Sequence, residues 1–296
     1  MKKWIVFWAV CACLGFSEVY AADWTDCGTD AKGNTANCQY KIDANGTLTI
    51  RGVGNNGNVG EWDRNNHAAP WTGQGVTNIV IENSIKDVGS QGFSNMTSET
   101  PIVIPNGVQS IGKNAFYGVR TPEVVIPNSV TSIKTGAFNW CYVSKVDIPS
   151  SVTDVAVAFR GAWITDLIIP GSVTSLATET LSSCHKLETL TISDSTQLGA
   201  IFQGRDTDSR RTDLENLKIY CVGNQAQCDA NLAAAGYSDL KSIAANLKTI
   251  NGMTYVTDKK GHIVAMSGSR TNKRIYTVEE ANMVSGKTNT VKIRYK

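Results

Sequence analysis

Apolar and polar residues alternate along this chain in a pattern that returns at a nearly constant interval. Each copy contains a short run with two apolar residues separated by one position, and the second of these is an isoleucine that recurs with spacings of 23, 22, 22, 21, 23 and 27 residues. A fixed period in the twenties indicates a solenoid, in which each unit buries its apolar face by stacking on its neighbours. The recurring residues are Ile81, Ile104, Ile126, Ile148, Ile169, Ile192 and Ile219.

Within each run the alternation predicts a β-strand, because successive side chains of a strand point to opposite faces of a sheet. The recurring isoleucines and the residues two positions before them are expected to point into the core. A short second strand is expected in each copy, near residues 130–133 in the copy that begins with Ile126. A phenylalanine or leucine follows each of the first five isoleucines and is expected to stack as a spine on the far side of the core: Phe93, Phe116, Phe138, Phe159 and Leu181.

Two columns of side chains are expected to point outward from this sheet. The first column is Val80, Val103, Val125, Asp147, Ile168, Thr191 and Lys218, and the second is Asn78, Pro101, Glu123, Lys145, Asp166, Thr189 and Asn216. Four of the seven residues in the first column are aliphatic, and exposed apolar surface often marks a partner site. An alternative is that valine and isoleucine are simply good strand formers in a parallel sheet. The candidate partner-binding residues on this concave face are Val80, Val103, Val125, Asp147, Ile168, Thr191, Glu123, Lys145 and Asp166.

The repeat unit resembles a known family in its letters as well as its period. Ile-Pro-Asn-Ser-Val-Thr-Ser-Ile at 126–133, Ile-Pro-Gly-Ser-Val-Thr-Ser-Leu at 169–176 and Ala-Phe-Asn-Trp-Cys at 137–141 are similar to the BspA-type leucine-rich repeats of bacterial surface and secreted proteins. The resemblance covers about half of the chain. It implies a right-handed leucine-rich repeat solenoid, here of about six to seven rungs, that acts as a surface-exposed binding scaffold and is often linked to adhesion or host contact. It carries over no catalytic residues and no particular ligand.

The first residues are typical of an export signal. Lys2 and Lys3 precede an uncharged apolar run over residues 4–16, which is short for a membrane-spanning helix, and small residues before Ala22 predict cleavage there. A lipoprotein signal with Cys13 as the modified residue is the alternative. Residues 1–21 are therefore interpreted as a signal peptide, and the protein is expected to be secreted or on the cell surface, with the periplasm also possible.

Export into an oxidising compartment allows cysteines to pair. Six cysteines follow the predicted cleavage site, and the two local pairs Cys27 with Cys38 and Cys221 with Cys228 are the predicted disulfides. Cys141 and Cys184 occupy one column two rungs apart. That separation is roughly 9 to 10 Å at the usual strand spacing, beyond the reach of a disulfide, so both are expected to be buried free thiols.

The repeats divide the chain into segments. Residues 22–75 are expected to form an N-terminal cap with a hairpin turning at Asn45-Gly46. Trp62 and Trp71 are expected to cover the open end of the core, although a carbohydrate platform is the alternative. The solenoid is assigned to residues 76–220, and a cap with a helix over 225–235 to residues 221–250.

Residues 251–296 are expected to form a small basic β/α module. The pattern predicts a hairpin of 253–256 with 262–266, a helix over 277–286 that begins with a capping box, and a last strand near 291–295. From residue 246 onward ten Lys/Arg stand against three Asp/Glu, whereas residues 22–245 hold sixteen against twenty-two. The basic tail is interpreted either as an electrostatic contact with an anionic envelope or as a solvated face.

The sequence favours a binding protein over an enzyme. His67, His185 and His262 lie in separate segments, and no phosphate-binding loop or zinc spacing is present. The polar loop 204–213 contains three aspartates, but it lacks the spacing, glycine and final glutamate of a calcium loop, and its two adjacent arginines favour a self-neutralised loop. We therefore expect no catalytic residues, no cofactor, no metal and no nucleic acid, and a protein or glycan partner of unknown identity, with Trp140 and Trp163 as possible anchors. A passive structural component of the envelope is the alternative.

Overall fold

The computed structural model describes residues 23–203, 214, 216–250, 253–267, 276–280 and 292–295. The predicted signal peptide and the polar loop 204–213 lie outside these residues. Along the chain the elements are β1 (Thr25–Asp26), β2 (Cys38–Ile42), β3 (Thr47–Gly52), β4 (Gly57–Asn58), β5 (Asn78–Ile81), β6 (Ile85–Asp87), β7 (Ile102–Val103), β8 (Ser110–Ile111), β9 (Glu123–Val125), β10 (Ser132–Ile133), β11 (Lys145–Asp147), β12 (Asp166–Ile168), β13 (Ser175–Leu176), β14 (Thr189–Ser193), β15 (Gln197–Leu198), β16 (Lys218–Val222), α1 (Gln225–Ala234), β17 (Ser242–Ile250), β18 (Met253–Asp258), β19 (Ile263–Ser267), β20 (Tyr276–Glu280) and β21 (Lys292–Tyr295).

The main sheet is a parallel stack of repeat strands that ends in an antiparallel hairpin. Its order is β7-β9-β11-β12-β14-β16-β17-β18-β19, with parallel pairing as far as β17 and antiparallel pairing beyond it. Residues at equivalent positions of neighbouring repeats face each other across the strands, as Val124 faces Val146. The predicted second strands form short parallel pairs on another side, β8 with β10 and β13 with β15.

The core lies between these strands and the predicted aromatic spine. The rings of Phe93, Phe116, Phe138 and Phe159 stack with centroid separations of 5.4, 5.5 and 5.6 Å and are nearly parallel. These four consecutive repeats therefore make the same ring contact with one another. Leu217, which was also predicted to point inward, is half-buried. The other predicted inward residues are buried, and they are Ile79, Ile81, Ile102, Ile104, Val124, Ile126, Val146, Ile148, Leu167, Ile169, Leu190, Ile192 and Ile219.

The N-terminal segment joins the repeat stack directly. The predicted hairpin is formed by β2 and β3, with Gly46 at a positive φ of 76° in its turn. β3 then pairs in parallel with β5, so that Leu48 faces Ile79 and Ile50 faces Ile81. Trp71 stacks on Phe93 at 6.2 Å, and Trp62 packs edge-on against Trp71 at 5.9 Å. Both indoles are buried, so neither is an exposed carbohydrate platform.

The register of the last repeat strand differs from the sequence prediction. Leu190 faces Ile219, Thr191 faces Tyr220 and Ile192 faces Cys221. The counterpart of Ile192 is therefore Cys221, and Tyr220 takes the outward position that was assigned to Lys218. Strand alternation with period two determines which face a residue occupies, but it does not distinguish registers that differ by two residues.

The C-terminal segment agrees with the prediction in part. The helix α1 forms and is followed by Gly236 at a φ of 91°, and β18 and β19 form the predicted hairpin. β18 also pairs with β17 from Ala245 to Ile250, so the predicted boundary at residue 251 falls inside a continuous sheet. The helix predicted from Thr277 is wrong where the structure describes it, because Tyr276–Glu280 is a strand paired with Lys292–Tyr295. Residues 281–286 lie outside the described part of the chain.

Candidate functional site

The outward face is open at the first repeat strands, β5, which ends the N-terminal sheet, and β7 and β9, which begin the main sheet. Val80 is 45% exposed and Val103 is 54% exposed, while Val125 beside them is half-buried. Val103 faces Val125 across neighbouring parallel strands. We call these three residues, Val80, Val103 and Val125, the apolar stripe. They show that an aliphatic surface is held toward solvent on a rigid backbone.

Charged residues of the second outward column lie beside the apolar stripe. Lys145 faces Glu123 on one side and Asp166 on the other, so the sign of charge alternates along the column. Asp166 accepts hydrogen bonds from the hydroxyls of Thr165 at 2.8 Å and Thr189 at 2.5 Å. These polar side chains form the border of the open surface.

The C-terminal half of the same face is covered, which corrects the sequence prediction for three candidate residues. Asp147, Ile168 and Thr191 were expected to be exposed, and all three are buried. Asp147 forms an ion pair with Lys145 at 2.9 Å. Ile168 belongs to a second buried cluster in which Val256 and Ala265 of the hairpin participate.

This second cluster forms because the sheet curls at its C-terminal end. β19 contacts β12 although four strands separate them in the sheet order. The cluster consists of Ile168, Tyr220, Ala245, Val256 and Ala265. The β18–β19 hairpin therefore lies over the outer face of the last repeats, and the open apolar surface ends near β9.

The curl also places two carboxylates near a buried phenol. Burial raises the pKa of Tyr220 above its ordinary value, and the negative charges of Asp258 and Asp166 raise it further. Asp258 is held in the hairpin turn, where it accepts hydrogen bonds from the backbone N–H groups of Lys260 and His262 at 2.9 Å each. The raised pKa favours the neutral phenol at a position that is buried in the second cluster.

The two tryptophans predicted as anchors have different surroundings. Trp140 is half-buried and adopts a positive φ of 57°, with its ring lying over Gly161. Trp163 is 40% exposed. Its ring packs on Tyr142 at a centroid distance of 4.8 Å. Trp163 is therefore the indole with surface available for a ligand.

The cysteines pair as sequence analysis predicts. Cys27 is bonded to Cys38 in the N-terminal segment, and Cys221 to Cys228, which links β16 to helix α1. Cys141 and Cys184 are buried thiols that take part in no disulfide. Burial raises the pKa of each of these thiols to about 12, so neither is a nucleophile at physiological pH.

The histidines do not converge on a reaction centre. His67 stacks on Trp62, and His262 contacts Asp258 at 3.0 Å. In the described part of the chain no group of three or more His, Cys, Asp or Glu side chains is placed to hold a metal ion. Nor does any helix among the described residues have the length and apolarity needed to cross a membrane.

One surface feature was missed by sequence reasoning. Arg120, Tyr142, Trp163 and Lys186 follow one another with spacings of 22, 21 and 23 residues, which is the repeat period. The guanidinium of Arg120 lies 3.6 Å from the Tyr142 ring centroid, and the ammonium of Lys186 lies 5.9 Å from that of Trp163. We call these four residues the cation–aromatic ladder. Their common spacing was the signal that could have revealed them.

The repeated short strands, the parallel sheet and the stacked spine define a leucine-rich repeat type of fold. Residues 71–188 match the family described as the BspA type leucine rich repeat region, in six copies. Residues 71–188 therefore contain repeats of the BspA type.

Solved structures of other bacterial repeat proteins are similar to this chain at low identity. A leucine-rich repeat protein of T. pallidum is 16% identical, with 72% of this chain and 97% of that chain covered and a TM-score of 0.41. A leucine rich cell surface protein from Faecalibacterium prausnitzii is 15% identical, with 67% and 96% covered and a TM-score of 0.21. The pneumococcal vaccine antigen PcpA is 14% identical, with 59% and 67% covered and a TM-score of 0.25. No protein with a curated description matches significantly.

Proposed function

We propose that this protein is an exported, non-enzymatic interaction protein that binds a protein partner through the apolar stripe. The observation that supports this proposal is the exposure of Val80 and Val103, at 45% and 54%, on the consecutive repeat strands β5 and β7. Exposed contiguous apolar surface is uncommon on soluble proteins unless it meets a partner. The bordering charges at Glu123 and Lys145 provide a polar rim, which is the usual surrounding of an apolar interface centre.

The binding surface we propose is smaller than the one that the sequence predicts. Asp147, Ile168 and Thr191 are buried, Ile168 against residues of the hairpin, so all three are left out of the proposed surface. The predicted export signal and the family assignment support a role at the cell surface or in the surrounding medium, with adhesion as the expected activity. A glycan ligand for the stripe, or a passive structural role in the envelope, is treated as an outcome of the test below.

Site-specific photocrosslinking tests this proposal. Photoreactive benzoylphenylalanine replaces Val103 in the protein, which is expressed in the cells that naturally produce it. Adducts are identified by mass spectrometry after illumination. We expect one dominant protein adduct that saturates with expression level. The matched control is the same residue at Val53, which is 47% exposed but lies in the loop after β3, away from the stripe.

Lysine substitutions then test the stripe itself. The partner identified in the adduct is expected to bind the triple variant V80K, V103K and V125K at least about tenfold more weakly. The reason is that burying three ammonium groups in an apolar interface is unfavourable. Its circular dichroism is expected to be unchanged, since the altered side chains point away from the core. An equal adduct at Val53, or undiminished affinity of the triple variant, would contradict the assignment, and the absence of any adduct would favour a passive or glycan-binding role.

A further inference from the structure

The cation–aromatic ladder is a continuous stack on one side of the solenoid. Arg120 and Tyr142 face each other across neighbouring rungs in a parallel bridge, and the same holds for Thr97 and Arg120 one rung earlier. The residues lie in the turns that precede the repeat strands, since Tyr142 comes three positions before β11 and Trp163 three positions before β12. The ladder is therefore separate in position from the apolar stripe on the outer face of the sheet.

The two aromatic rings of the ladder differ in accessibility. Tyr142 is half-buried between the guanidinium of Arg120 at 3.6 Å and the Trp163 ring at 4.8 Å. Trp163 contacts Tyr142 on one side and remains 40% exposed. Lys186 is 5.9 Å from the Trp163 centroid, near the outer limit of about 6 Å for a cation–π contact. The indole thus presents apolar ring surface beside an ammonium group that is not tightly engaged with it.

Arg120 and Lys186 are both exposed, one at each end of the aromatic pair. A guanidinium that stacks on an aromatic ring keeps its in-plane N–H donors available for a carboxylate or sulfate. Lys186 offers a point charge with three donors. A ligand that fits this arrangement has a flat apolar face and anionic groups spaced along it.

We propose that the ladder is a binding site for an anionic oligosaccharide. The C–H face of a sugar ring stacks on the exposed indole of Trp163, and carboxylate or sulfate groups on that ring and its neighbours bind Lys186 and Arg120. A nucleic acid is less well matched, because one charge on every nucleotide calls for a denser row of cations than the two that the ladder supplies. The site involves none of the residues of the apolar stripe, so this proposal and the proposed protein-binding function can fail independently.

Titration with defined hexasaccharides tests the proposal. The purified chain is titrated with a carboxylated probe, the hyaluronan hexasaccharide, and a sulfated probe, the chondroitin sulfate hexasaccharide, while tryptophan fluorescence and heat are recorded. We expect saturable binding to at least one of the two, with a change in tryptophan emission. The uncharged hexasaccharide of N-acetylglucosamine is expected to bind at least about tenfold more weakly.

Variants then assign the binding to the ladder. Trp163→Ala is expected to weaken binding by about tenfold or more, since a stacked indole is a typical hot spot, whereas Trp163→Tyr retains a ring and part of the affinity. Lys186→Gln is expected to weaken binding and to reduce its salt dependence. Val53→Gln, in the exposed loop after β3 and outside both the apolar stripe and the ladder, serves as the control that leaves the affinity unchanged. If a thermal melt shows that Trp163→Ala is unfolded at the assay temperature, Trp163→Tyr and Lys186→Gln test the site instead.

Three results would overturn the proposal. The first is the absence of saturable binding to both anionic probes. The second is equal affinity for the uncharged hexasaccharide, which would remove the role of the two cations. The third is tighter binding of a single-stranded dT oligonucleotide with a steep salt dependence, which would assign the ladder to nucleic acid instead.

Discussion

Individual residues at the turn after the aromatic spine share an unusual backbone conformation. Asn95, Gly118, Trp140, Gly161 and Ser183 all have positive φ angles between 57° and 68°. Residues other than glycine and asparagine are uncommon in this left-handed conformation, because the Cβ atom crowds the following carbonyl. Trp140 adopts this conformation with its ring seated over Gly161, where a Cβ atom would lie 2.5 Å from the ring. The large side chain of Trp140 is thus accommodated because Gly161, one rung later, has no side chain.

At this scale we expect Gly161→Ala to destabilise the protein by about 2 to 4 kcal/mol. The left-handed conformation costs an alanine about 1 kcal/mol, and the clash with Trp140 adds an overpacking cost of about 1 to 3 kcal/mol. Urea unfolding followed by circular dichroism measures the change. The effect is expected to fall to about 1 kcal/mol in a Trp140→Ala background, where the clash is absent.

Gly171→Ala is the matched control for this experiment. Gly171 does not have a positive φ, and an added Cβ would meet its nearest atoms, in Ser193, at 3.8 Å, which is ordinary contact. A change within about 0.5 kcal/mol is expected there. Equal effects at Gly161 and Gly171 would show that the tryptophan and the backbone conformation do not govern this position.

At the scale of elements, the β18–β19 hairpin determines how much of the outer face is open. Val256 is fully buried in the cluster with Ile168 and Tyr220, while Leu247, which faces Val256 across the β17–β18 pair, is 43% exposed. Two cross-strand partners therefore have opposite surroundings. The curl of the sheet therefore depends on the buried partner, Val256.

We expect Val256→Asp to release the hairpin from the repeats, because a buried carboxylate without a partner is strongly unfavourable. Amide hydrogen exchange measured by mass spectrometry should show faster exchange in 253–267 and in 166–168, with little change in 102–125. Leu247→Asp, at the exposed partner position, is the control and should leave the exchange nearly unchanged. Identical exchange in the two variants would contradict the role assigned to this cluster.

At the scale of the whole molecule, charge is unevenly distributed along the sequence. Residues 268–296 contain seven Lys/Arg and two Asp/Glu, a net charge of 7 − 2 = +5, although the whole chain has +2. Basic residues contribute about 1 kcal/mol each when they lie near an anionic surface. The tail is therefore the part of the chain best suited to an electrostatic contact with the envelope.

We expect the full chain to sediment with the envelope and a chain ending at Ser267 to move to the soluble fraction. Ser267 is the end of β19, so this truncation keeps the hairpin that covers Ile168, whereas a cut at residue 251 would remove it. Cell fractionation and blotting measure the distribution, and a high-salt wash should release the full chain because exposed charges are screened. The same distribution for both chains would contradict an anchoring role for the tail.

Much of this architecture followed from the amino-acid sequence. The period of the isoleucines predicted the repeat, alternation predicted which residues point inward, and the recurring phenylalanines predicted the spine. The hairpin at Asn45-Gly46 and the two disulfide pairs also followed from the sequence. These features depend on short-range patterns, which repeat in the chain as they repeat in space.

Tertiary structure decided what the outer face presents. The burial of Ile168 and Thr191, the position of Tyr220 in place of Lys218 and the grouping of Arg120 with Tyr142, Trp163 and Lys186 were absent from the predictions. Alternation assigns a residue to a face of the sheet, but it carries no information about a distant hairpin that folds over that face. Because the curl arises from contacts between strands that are far apart in the chain, it determined which predicted site residues stayed accessible and which became core.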